Sequence, residues 1–310
     1  MLLAILSVVS LMIGNIPISF QDILSLDPEK MELIALTRFP RLAAVIITGA
    51  GMSICGLIMQ QISRNRFVSP TTGASVNSAH FGLLIATVFF SAYGYLASLA
   101  LATIFSLLGT AAFIAMLRRV KVRNIVMVPL LGIMLGGLIE SMAIFVAYRY
   151  NMVEALSAWM IGSFTWVIKG RFELLYLSIP LVIVAYFYAS KFTIAGMGED
   201  LSTNLGLNYN RVVNVGLGIV SMVTAVVVII VGAVPFLDLI VPNIVSLYKG
   251  DNLKRTIIDT ALFGAVFLLV CDIFSRIVIF PYEVPIGLTV GVIGSIIFLI
   301  LLFRRQPSER

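Results

Sequence analysis

Windows free of Asp, Glu, Lys and Arg recur along this chain at close to the ~20 residues a helix needs to cross a bilayer. Met1–Gln21 carries no charge, and neither does Leu42–Ser63. Phe67–Leu117 is long enough for two spans, with Ser91–Tyr95 (SAYGY) as the turn between them. Asn124–Tyr148 predicts a fifth span, interrupted by Glu140, and Phe172–Ser190 a sixth. Val212–Val231 is the seventh. Gly232–Tyr248 is short and broken by Pro235 and Pro242, so it predicts an irregular eighth. Thr256–Ser275 and Val284–Phe303 complete ten. The period-two alternation of strands is absent. Helices satisfy their own backbone in lipid, so the expected class is an all-α polytopic membrane protein.

Composition agrees. Of 310 residues, 60% are hydrophobic and 12% charged, against about 25% charged in a soluble domain. No domain-sized linker appears, so 1–310 reads as one transmembrane domain. An even number of spans puts both termini on one side, and the tail Arg304, Arg305 and Arg310 assigns that side to the cytoplasm. Fourteen of the 21 basic residues, RRVKVR (118–123) among them, then fall inside. That bias follows the positive-inside rule and explains the net charge of +6 without a nucleic-acid partner. Met1–Phe20 has no basic leader and no small-x-small cleavage site, so it reads as a retained span.

The longest polar interruption on that side is Ile194–Asn210. Gly198 is placed to start a short helix, Glu199 and Asp200 suit its first turn, Leu201, Asn204 and Leu205 recur at helical spacing, and Gly206 is placed to stop it. Such a helix could seat another protein, or be a well-formed loop with no partner. Two further segments are irregular: Phe67–Ser78 after span two and Gly232–Asn243 after span seven. Broken segments in corresponding places point to an inverted repeat with a path between its halves; two independent loops would look the same.

Few residues offer chemistry. There is no G-x-x-x-x-G-K-[ST] loop for ATP. Cys55, Cys271 and the one histidine, His80, make neither a disulfide framework nor a metal site. Catalysis by this chain is not expected. Charges inside spans need reasons, because each costs about 2.5–3.5 kcal/mol at a span centre. Asp272 and Arg276 are spaced to pair on one helix face. Glu140 could be a proton relay, a pathway group, or a bond to a neighbouring span. Arg38 and Arg41 flank Pro40, either as interfacial anchors or as a docking point for an acidic partner. Glycines at 49, 51, 56, 132, 136 and 137 allow helices to approach closely. Trp159 and Trp166 are expected at the membrane interface.

Four stretches resemble the FecCD-type permeases, the membrane subunits of binding-protein-dependent ABC importers for iron–siderophore complexes and vitamin B12. They are Thr37–Ser75, Gly196–Leu207, Val231–Ile244 and Cys271–Leu302, in the family's order. The wording of the first is most like the permeases for catecholate or petrobactin-type siderophores. The resemblance implies ten spans, with spans two to five repeated in inverted form as seven to ten. It implies that Gly198–Gly206 is the coupling helix for a separate cytoplasmic ATPase, which would hold the ATP and Mg²⁺. It implies that Arg38, Arg41 and Arg276 meet acidic residues of an extracytoplasmic siderophore-binding protein. It also implies a path at the interface with a second permease subunit, bordered by spans five, eight and ten, for which Glu140, Asp238, Pro242 and Asn243 are the expected residues. This chain departs from the family pattern at Arg66, where proline is usual, at Asn243, where histidine is usual, and at Asp238, where glycine is usual. Asp238 is therefore expected to bear on substrate or subunit specificity. The rival is an ion-coupled secondary transporter using Glu140, Asp238 or Asp272. A purely structural scaffold would explain neither the broken spans nor the buried carboxylates.

Overall fold

The computed structural model describes residues 1–14, 28–119 and 127–304, the side chains at 302 and 304 excepted. Lys121, Arg123, Arg305 and Arg310, which helped orient the chain, lie outside the described residues.

The described helices follow the expected order. They are α1 (Leu2–Met12), α2 (Phe39–Ser63), α3 (Ser75–Phe89), α4 (Gly94–Arg119), α5 (Met127–Arg149), α6 (Val153–Met160), α7 (Ser178–Ala195), α8 (Glu199–Asn204), α9 (Tyr209–Ile230), α10 (Leu237–Lys249), α11 (Leu253–Ile277) and α12 (Ile286–Arg304). A helical turn at Pro28–Leu33 and a π-helical stretch at Ile34–Arg38 run straight into α2. The break between α3 and α4 falls at Ser91–Tyr93, inside the expected turn. Six described stretches are long and apolar enough to cross a membrane, and the apolar helices α1, α3 and α12 are shorter.

The shortness of α3 and α10 has a local cause. In α2–α5 and again in α9–α12, a long helix is followed by non-helical chain and then by a shorter helix. Residues 64–74 precede the 15-residue α3, and residues 231–236 precede the 13-residue α10. Each short helix starts after a non-glycine residue in the left-handed region, Ala74 (φ 64°) and Phe236 (φ 65°). Such residues are uncommon and hold only where their surroundings fix them.

α2 and α9 form the centre. In their most apolar windows 78% and 67% of residues are buried, against 22% in α5 and in α7. Leu42, Val45, Met52, Ile58 and Met59 of α2 pack in one core with Val220, Val223, Val226 and Val227 of α9. Glycine permits the closest approach: a Cβ on Gly49 would lie 2.6 Å from the Gly264 carbonyl oxygen of α11. Gly137, by contrast, meets nothing within 4 Å. α5 turns Ile133, Met134, Leu138, Phe145 and Tyr148 outward, and α12 does the same with Val292, Ile296 and Phe303. Lipid or a second subunit must cover these faces.

Candidate functional site

The two irregular segments meet in the interior. Non-helical backbone at membrane depth is tolerated only where protein or a cavity satisfies it, and here local backbone bonds and side chains do so together. The Ser69 carbonyl accepts from Gly73 N at 2.7 Å, the Thr72 hydroxyl accepts from Ser69 N at 2.9 Å, and the Asn65 amide oxygen accepts from Phe67 N at 2.8 Å. Asp238, in the first turn of α10, then takes the tip of this loop. Its two oxygens accept from Thr71 N at 2.9 Å and from the Thr71 hydroxyl at 3.0 Å. Asn243 donates to the Arg66 carbonyl at 2.8 Å and to the Leu239 carbonyl at 2.7 Å.

Pro242 explains the seating of α10. It has no N–H to offer the carbonyl four residues earlier, which is that of Asp238. The freed carbonyl stands against α2, where a Cβ on Gly56 would occupy the same space. Asp238 is thus fully buried against Thr71 and α2. The expected specificity residue is thus placed at the junction of the two irregular segments, with its carboxylate on Thr71. Pro242 and Asn243 are buried beside it and hold the same junction. Glu140 stands apart. It is half-buried on α5 and accepts from the Asn77 side chain of α3 at 3.0 Å.

At one end of α2 the arginines gather. Arg41 bonds Asp272 through Nε and an NH2 group at 3.1 and 2.8 Å, and grips both oxygens of Glu283 at 2.9 and 2.8 Å. Glu283 also accepts from Thr165 at 3.1 Å. Arg276 pairs with Asp272 at 2.7 Å, as its i, i+4 spacing predicts, and donates to the carbonyls of Ser10 and Ile13 at 3.0 and 2.9 Å. Those carbonyls belong to the end of α1, where a helix leaves acceptors unfilled. Arg276 is therefore 6% exposed and occupied inside the chain, not presented at a surface. Arg38 is half-buried and donates to the Leu11 carbonyl at 2.9 Å. Together with Glu283, Thr37 and Thr165, the three arginines line one cleft.

At the other end stands α8. Gly198 precedes it with φ 115°, and Gly206 ends it with φ 77°. Gly206 N bonds the Thr203 carbonyl and Leu207 N the Ser202 carbonyl, both at 2.9 Å, which is a Schellman stop. Ser202 points inward and bonds Ile194 and Gly198. Glu199, Asp200, Leu201, Asn204 and Leu205 all face out, with Leu201 and Leu205 at 55% and 64% exposure. At the entry to α8 stand Gln61 and Arg64: a Cβ on Gly196 would meet the Gln61 side chain, and one on Gly198 the Arg64 guanidinium. The expected helix with its start and stop is thus present, and its apolar pair is uncovered.

Thr71, Asn77 and Glu283 were not singled out from sequence. Glu283 was the most findable, as the lone charged residue between Arg276 and Arg304. His80 bonds the Trp159 carbonyl at 3.0 Å, which holds α6 on α3. Trp166 is exposed, whereas Trp159 is half-buried. Among the described residues no three His, Cys, Asp or Glu side chains gather as a metal site would require.

A polytopic helical membrane protein with two interrupted helices meeting at its centre is the class this geometry defines. The chain belongs to the FecCD transport family, whose model matches residues 2–304. It is 52% identical over 305 residues to the petrobactin import system permease protein YclN of Bacillus subtilis, covering 98% of this chain and 96% of that protein. It is 41% identical over 271 residues to the ferric-anguibactin transport system permease protein FatD of Vibrio anguillarum, covering 87% and 86%. The fold is that of a solved chain from an inward-facing structure assigned to the metal-chelate type of ABC transporter. There the TM-score is 0.83 at 23% identity, over 98% of this chain and 96% of that one.

Proposed function

We propose that this chain is the permease subunit of an ABC importer for a ferric siderophore of the petrobactin or catecholate kind. A separate cytoplasmic ATPase drives it and holds the ATP and Mg²⁺. The observation that carries this reading is α8, a capped helix whose Leu201 and Leu205 stand uncovered at one end of the bundle. A carrier driven by an ion gradient needs no such seat. Full-length similarity to permeases named for petrobactin and ferric-anguibactin supports the cargo. The chelator holds the iron, so the chain needs no ligand cluster of its own.

In this reading the α8 end is cytoplasmic, as are both termini, and the arginine cleft opens outward toward a siderophore-binding protein. Arg38 is the arginine that meets that protein's acidic residues, while Arg41 and Arg276 hold the shape of the mouth. A second permease subunit covers the outward faces of α5 and α12, and the path runs between the subunits past Glu140. The ion-coupled alternative is less favoured, because Asp272 is engaged by two arginines and Asp238 by Thr71. Co-purification tests the seat. Leu205→Asp places a charge on an exposed position, so the chain folds but no longer retains the ATPase. Retention of the ATPase at the wild-type level refutes the assignment.

A further inference from the structure

We infer that Asp238 is a positioning residue, a clamp that fastens the loop 64–74 to α10 so that the two interrupted segments move as one body. Its two oxygens accept separately from the backbone and the side chain of Thr71, and the Ser69 hydroxyl of the same loop bonds the carboxylate as well. Among the described residues no cation pairs with it. A neutral side chain would be cheaper to bury, but an amide keeps both contacts only if the Thr71 hydroxyl turns to accept from it and donates to Ser69 instead, whereas a carboxylate takes both donors as they stand. The Asn243 bond to the Arg66 carbonyl holds the root of the same loop. The loop is thus fixed to α10 at its root and its tip.

The clamp also lies in line with α8. Gln61 and Arg64, which stand against Gly196 and Gly198 at the entry to α8, are the last turn of α2 and the first residue of the loop. A displacement of α8 is delivered to the root of the loop, and Asp238 passes it to α10, in the other half of the repeat. This role rests on the transport reading above. The carboxylate itself touches no cargo.

Two readouts on one set of variants test it. The variants are Asp238→Leu, which keeps the shape and can make neither bond, Thr71→Val, which keeps only the backbone donor, and Thr71→Ser, which keeps both donors. Amide hydrogen exchange is measured on the full chain alone in detergent. Ferric-petrobactin uptake and ATP hydrolysis are measured on the complete complex in proteoliposomes. Asp238→Leu is expected to raise exchange across residues 67–74 at least tenfold. It is expected to lower uptake per ATP hydrolysed at least tenfold, while hydrolysis stays within twofold. Thr71→Val falls between it and the wild type in both readouts, and Thr71→Ser matches the wild type. Unchanged exchange in Asp238→Leu and Thr71→Val overturns the clamp. Uptake and hydrolysis lost in parallel overturn its role in coupling and leave Asp238 a mere fold anchor. Because exchange is read without the ATPase, it decides the clamp independently. A wild-type complex that takes up no ferric chelate overturns the transport reading instead.

Discussion

Asp272 and Arg276 form a buried pair whose two halves are not equivalent, and substituting each in turn exposes the difference. Asp272 faces two cations, since Arg41 and Arg276 lie at 2.8 and 2.7 Å. Changing it to Asn leaves the Arg276 guanidinium, with 5% of its side chain exposed, among neutral carbonyls. Removing one partner of a buried pair costs about 3–5 kcal/mol, because the other charge stays buried. Arg276→Met is milder. Asp272 keeps Arg41, and methionine refills much of the volume, so the loss is the charge-assisted bonding to α1, about 1.5–3 kcal/mol. The double variant has neither the stranded cation nor its partner, and Arg41 keeps Glu283. It is therefore expected to be more stable than Asp272→Asn alone, a favourable coupling of about 1 kcal/mol or more. Reversible unfolding of the purified chain in mixed micelles, followed by tryptophan fluorescence, measures all three. An Arg276→Met variant less stable than Asp272→Asn, or strictly additive effects, would refute the reasoning.

Two more substitutions separate roles that lie close together. Arg38→Glu is expected to weaken binding-protein docking about tenfold or more and, because it also breaks the bond to the Leu11 carbonyl, to cost about 1.5–3 kcal/mol in unfolding; unchanged affinity in a titration with the binding protein would make Arg38 an interfacial anchor only. Gly56→Ala drives a methyl into the Asp238 carbonyl, so overpacking is expected to cost about 1–3 kcal/mol, whereas Gly137→Ala, which meets nothing within 4 Å, costs less than about 0.5 kcal/mol in the same assay.

Most of the fold was legible because the bilayer leaves a chain so few options. Apolar windows of helix length with at most two charges read as spans, and the ten expected windows correspond to α1–α5, α7 and α9–α12. The irregular segments were legible too, from Pro235, Pro242 and the polar run after Arg66. α8 could be read in the same way, since Gly198 and Gly206 punctuate it and its φ values need glycine.

What the pattern did not disclose was partnership across the chain. Asp238 meets Thr71 from 167 positions away, and Arg41 meets Glu283 across 242. Local spacing found the one pair lying on a single helix, Asp272 with Arg276, but not the second arginine that shares the carboxylate. Arg276 looked like a surface group because it lies near a span end. Its burial follows from α1, whose terminal carbonyls lie over it. Asp238 looked like a substrate group because it breaks a familiar pattern. Its role depends on a freed carbonyl and a loop tip that only the packed interior brings together.

The most direct test of ATP-driven transport through α8 is uptake of radiolabelled ferric petrobactin by cells carrying Leu205→Asp. A parallel wild-type sample has its proton gradient collapsed and its ATP maintained. Uptake lost in the variant but persisting in the wild type without the gradient is the predicted result. Uptake untouched by Leu205→Asp and abolished by collapse would contradict it and turn attention to Glu140 in an ion-coupled carrier.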